Sequence, residues 1–122
     1  MGYQVLDPST LDTDGGHPCT RRSITEAAGL SNLAVAVYEL APGEPLATDY
    51  HYHEQREEAF YVLDGELHVE TPERDYAVRP GEVFVVEPDS PFRPYNPAEA
   101  DGSVTVVGIG APLYDPGRPY EA

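Results

Sequence analysis

The chain has 122 residues, enough for one domain with a core of its own and too few for two. Its 22 acidic residues stand against 7 basic ones, a formal net charge of −15, which argues against nucleic acid and anionic lipid surfaces as partners. A single cysteine, Cys19, excludes an internal disulfide and a thiolate metal cluster, and no apolar run approaches the ~18 residues of a membrane span.

All seven bases are arginine and lysine is absent, a composition that resembles proteins of salt-accumulating halophiles. High ionic strength shortens the Debye length to about 3 Å at 1 M and would screen the self-repulsion of so acidic a chain. The first residues show neither a basic n-region nor an apolar h-region, so the expected location is cytoplasmic.

Taken in order, residues 1–22 read as an N-terminal arm of Asp, Thr, Gly and Pro, with Tyr3, Val5 and Leu6 as material for one short strand. His17, beside Pro18 and Cys19, reads as part of a polar loop. A short turn or helix is expected over Thr25–Gly29, then a strand over Leu33–Leu40. Both faces of that strand are apolar, with Leu33, Val35 and Val37 on one and Ala34, Ala36, Tyr38 and Leu40 on the other. This predicts burial on both sides, between two sheets or in a dimer interface. Pro42-Gly43 closes it.

Further strands are predicted over Glu58–Leu63 and Glu66–Thr71, joined by the hairpin signal Asp64-Gly65, then over Asp75–Arg79, Glu82–Val86 and Val104–Ile109. His68 alternates with Glu66 and Glu70 and is expected on the solvent side. Residues 87–97 read as irregular, and the tail from 110 to 122, with Pro112, Pro116 and Pro119, as extended coil. Many short strands with Gly/Pro turns indicate an all-β barrel or sandwich in a single domain, its core about 33–109.

The chemistry concentrates between Pro42 and Gly65. On an extended segment His51 and His53 share a face, and a carboxylate five residues beyond gives three ligands for a transition metal. Glu58 shares the inward parity of Phe60 and Val62 whereas neighbouring Glu57 faces away, which favours Glu58 as that carboxylate. Phe60, Val62, Phe92 and Tyr38 would wall an apolar pocket suited to a modest organic ligand. No nucleophile with a partner histidine and no phosphate-cradling glycine loop is present, so no catalytic residue is assigned.

The series Gly43, His51-x-His53, Glu58, Gly65 resembles the first motif of the cupin superfamily, at the family's spacing. The stretch Gly81-Glu82 to Phe92 and Asn96 resembles its second motif more loosely. The resemblance is to a small single-domain cupin of the type 2-like barrel, and it implies a double-sheet jelly-roll barrel. It also implies a metal held by two His, one Glu and a further His, and by family habit a homodimer. His51, His53 and Glu58 match the first three positions. The fourth falls on Phe92, which has no donor atom; Asp89 and Glu87 stand where the motif has Gly and Pro.

Three outcomes follow from such a site. Three ligands and water hold Fe, Mn, Ni or Zn and act on a small molecule by oxygenation, isomerisation or hydrolysis. Otherwise the barrel is metal-free and binds or senses a small ligand, or the histidines hydrogen-bond Glu58 in a packed interior.

Overall fold

The computed structural model describes residues 2–121. After a 3₁₀ turn at Pro8–Thr10 come β1 (Thr20–Ser23), α1 (Ile24–Ala28), β2 (Ala34–Leu40), β3 (His51–Tyr52), β4 (Glu57–Asp64), β5 (Leu67–Glu70), β6 (Asp75–Val78), β7 (Val83–Val86), β8 (Arg93–Tyr95), β9 (Val104–Ala111) and β10 (Arg118–Pro119). A five-stranded sheet in the order β1-β2-β9-β4-β7 faces a three-stranded sheet, β6-β5-β8, and β10 pairs with β3. All pairings between these strands are antiparallel. This is the expected all-β, two-sheet jelly roll.

Alternation builds the core. From the larger sheet Leu40, Phe60, Val62, Val86, Val104 and Val106 point inward, and Leu67, Val69 and Val78 meet them from the smaller one, with Leu46, Phe92 and Cys19 filling between. Burying each such side chain contributes about 1.5–3 kcal/mol. Two turns tie the elements. Gly65 adopts φ +77°, and a Cβ there would lie 2.6 Å from the Ser103 carbonyl oxygen, so the β4–β5 turn requires glycine. Asn96, buried, donates from Nδ2 to the carbonyls of Leu40 and Gly102 at 3.0 and 2.9 Å. Its backbone accepts from Gly43 N at 2.9 Å, which joins the loops that carry the two motifs.

Several expectations are corrected. Tyr3 and Val5 form no strand and lie exposed. The stretch 87–97 contains β8, an edge strand of the smaller sheet, where Pro94 is tolerated because an edge does not require its missing N–H. The tail contains β10. On β2, Ala36 and Leu40 are buried, whereas Val35 and Val37 are half-buried and Leu33, just before the strand, is exposed; within one chain only one face of this strand is fully covered. His68 is half-buried, its ring 5.8 Å from that of Tyr95 and its Nε2 3.7 Å from Glu66. His17 is anchored: its Nε2 lies 2.6 Å from the Leu46 carbonyl.

Candidate metal centre

Three elements converge on the site. β3 holds His51, the residue after it in the loop is His53, and β4 supplies Glu58 on the inward face with Phe60 and Val62, while Glu57 is exposed. Potential ligand atoms of His51, His53 and Glu58 all lie within 4.8 Å of one another. Bonds of about 2.1 Å to a common ion set ligand atoms roughly 3–4 Å apart, so the cluster is only slightly wider than a coordination sphere.

The hydrogen bonds around the imidazoles fix their tautomers. His51 Nδ1 lies 2.9 Å from the Asp49 carbonyl, and His53 Nδ1 lies 2.7 Å from the Asp115 carbonyl. A carbonyl only accepts, so each Nδ1 carries the proton and each Nε2 is left with a lone pair. Such outer partners hold metal-ligating histidines in many sites. Burial, reinforced by the Arg56 charge and opposed by the Asp115 carbonyl, lowers the pKa of His53; at neutral pH it is uncharged.

Glu58 Oε1 stands 3.5 Å from His53 Nε2 and is buried with no hydrogen-bond donor. The Glu58 oxygen therefore faces an imidazole lone pair with neither a donor nor water beside it, which costs free energy unless a proton or a cation lies between the two. Burial pushes the Glu58 carboxyl up to about 7, with Arg56 pulling it down and Asp115 adding to the rise. The donor set, two imidazoles and one carboxylate, suits a divalent transition metal. The residues present fit the ion.

Phe92, at the place of the motif's fourth ligand, packs against His51. It forms a bridge with His51, donating its N–H to the His51 carbonyl at 3.0 Å, and its ring centroid lies 5.1 Å from that of His51 and 5.6 Å from that of Phe60. Asp89, where the motif has Gly, adopts φ +62° and donates its N–H to the His53 carbonyl at 2.7 Å. The turn thus keeps the left-handed backbone that glycine would adopt freely, which aspartate tolerates at some strain.

The expected pocket is redistributed. Phe60 and Tyr38 line a cavity of about 110 Å³ beside Glu58, together with Arg21, Arg56, Gly108 and Gly110. Val62 is fully buried in the core, and Phe92 lines a wider cavity between β6 and β7. Asp115, Gly117, Arg21 and Arg56 lacked any local signal. The Asp115 carboxylate accepts from the N–H groups of Gln55 and Arg56 at 2.7 and 2.6 Å, and a Cβ on Gly117 would lie 3.0 Å from His51. The tail therefore packs over both imidazoles.

Residues 36–108 match the sequence profile of the cupin domain. No curated protein sequence matches the chain. Among solved structures, a protein of Acidithiobacillus ferrooxidans provisionally described as a sugar phosphate isomerase is 25% identical, with a TM-score of 0.69 over 78% of this chain and 60% of its own. The chain thus spans less than two thirds of that relative. A sugar phosphate isomerase from a cupin superfamily, from Silicibacter pomeroyi, superposes with a TM-score of 0.82 at 19% identity, over 98% of this chain and 83% of its own. The polyketide cyclase RemF of Streptomyces resistomycificus gives 0.79 at 20%, over 98% and 87%. At such identities these last two show a shared fold.

Proposed function

We propose that this chain, which belongs to the cupin family, binds one divalent transition metal through His51, His53 and Glu58 and acts on a small molecule beside it. The observation that carries this reading is the buried Glu58 Oε1, which faces the lone pair of His53 Nε2 with no donor between them. A bound Fe, Mn, Ni or Zn ion would supply Lewis-acid or oxygen chemistry. The chain's own residues orient and enclose: the carbonyls of Asp49 and Asp115 hold the two imidazoles, and Phe92 closes one side against water. A second reading, a metal-free module that binds or senses a small ligand, is supported by the Glu58 carboxyl at about 7. Its proton would then donate to His53 Nε2.

Elemental analysis of protein purified without chelator or a histidine tag separates the two. One ion per chain, lost in His53→Ala, is expected; substoichiometric metal at native salt would sink the metal reading. Phe92→His adds a donor 5.1 Å, ring to ring, from His51. Affinity for Zn(II), measured by chelator competition, is expected to rise about tenfold or more, the equivalent of ~1.4 kcal/mol. An unchanged affinity would show that position 92 does not face the ion.

A further inference from the structure

The small cavity beside Glu58 carries chemistry that metal ligation leaves unexplained. Two of the seven arginines of this acidic chain, Arg21 and Arg56, line it together with Tyr38. Its volume of about 110 Å³ is that of a few water molecules at ~30 Å³ each, or of one small organic group. The space is kept open by sequence. Along β9 the inward positions are Val104 and Val106, then Gly108 and Gly110. A Cβ at 108 would lie 2.8 Å from Tyr38 Cε2, and one at 110 would lie 2.9 Å from Arg56 Cδ and 3.3 Å from Glu58 Cγ.

The guanidiniums are held in place and still have donors to give. Arg21 donates from Nε to the Tyr38 hydroxyl at 3.4 Å and pairs through Nη1 with Asp14. Arg56 donates from Nε to the Pro112 carbonyl at 3.1 Å and from Nη2 to that of Leu113. Among the described residues that leaves Arg21 Nη2 and Arg56 Nη1 without a hydrogen bond, the latter 4.0 Å from Glu58 Oε2. The Tyr38 hydroxyl accepts from Arg21 and keeps its own proton to donate. Asp14, Glu58 and Asp115 outnumber the two cations by one, so a divalent ion leaves the site one positive charge in excess. A monoanion balances it. A planar carboxylate also matches the few donors that remain, whereas a phosphate dianion brings more charge and more acceptors than the site can satisfy.

We propose that this cavity binds the carboxylate group of a small organic acid, held by Arg21, Arg56 and the Tyr38 hydroxyl next to the metal centre. The inference rests on the metal reading given above. Its test is calorimetric titration of acetate, and separately of inorganic phosphate, into Mn(II)-loaded protein, with Mn(II) occupancy followed by EPR in the same samples. One acetate per chain is expected. Uptake should weaken about tenfold or more in Arg56→Gln, as when a charge-assisted hydrogen bond is lost. Ala34→Leu, which fills the cavity and keeps both arginines, should weaken it likewise while Mn(II) stays bound. With Mn(II) bound, absent acetate uptake at tens of millimolar, unchanged uptake in Ala34→Leu, or tighter uptake of phosphate would each overturn the carboxylate site alone. A protein that takes up no Mn(II) would overturn the metal reading and this inference with it.

Discussion

Glu58 is the residue on which the site's energetics turn, because its carboxyl is buried with one oxygen lacking a donor. In metal-free protein a proton relieves that cost. Burial, countered by Arg56, places its folded-state pKa at about 7 against an ordinary 4.5, so the folded chain holds this proton more tightly than the unfolded chain does. Its contribution to stability is then fully present below pH 4.5 and lost as pH rises to about 7. That gap corresponds to about 3 kcal/mol as an order of magnitude. His53, whose pKa is lowered, acts in the opposite sense, losing stability as pH falls below its ordinary value of 6.5. Chemical denaturation of chelator-treated protein should therefore show the wild type losing ground to Glu58→Gln between about pH 5 and about pH 8. Parallel curves for the two proteins would mean that Glu58 is not protonated in the fold. Metal competes with the same proton, so metal affinity should rise over the same interval.

At the scale of elements, the strand that carries Glu58 was readable from its alternation, and the segment that completes the site was not. Period-2 patterning over β4 places Glu58 with Phe60 and Val62, and Asp64-Gly65 marks the turn after it, because both signals are local. The partner of His53 Nδ1 is a carbonyl 62 residues away, and no local pattern encodes a contact that distant. β8 was hidden by Pro94 and β10 by its two-residue length. Likewise Arg21 reaches the cavity only because β1 pairs with β2 through Arg21 opposite Tyr38. The tail acts as a clasp: Asp115 caps two backbone N–H groups before β4, and Tyr120 N donates to the Tyr50 carbonyl at 2.8 Å. Asp115→Ala removes the carboxylate and leaves the carbonyl that holds His53. Loosening of that clasp is expected to weaken metal affinity about tenfold, as when other groups that hold ligating histidines in place are lost. It should also speed proteolysis within residues 112–121. Wild-type values for both would show that backbone pairing of β10 with β3 suffices.

The whole molecule sets strong like-charge repulsion against an apolar band on the outer face of the larger sheet. Across the larger sheet Val83, Tyr61, Val107 and Val37 lie in register, and beside them Val85, Ala59, Ile109 and Val35. Val85 is 65% exposed and Val83 51%, and charge enters only at the margins of this band, at Arg22 opposite Val37 on β1, at Glu39 and at Glu57. On a chain of net charge −15 this is the surface where a second copy can approach with least repulsion, and burying it would cover the half-exposed face of β2. We expect a homodimer through this face in sedimentation at micromolar concentration, and a monomer for Val85→Glu. The same charge makes both folding and pairing dependent on salt. Each brings carboxylates closer together, and the Debye length falls from about 30 Å at 0.01 M to about 3 Å at 1 M. The thermal midpoint should rise by about 5–10 °C from low to molar KCl, the scale of a 1–2 kcal/mol gain in a chain of this size, and the dimer should tighten in parallel. Rising stability with an unchanged dimer constant would assign the repulsion to the folded chain itself. A flat midpoint would mean that the acidic surface is already neutralised by its own arrangement, and would remove the halophilic reading of the composition.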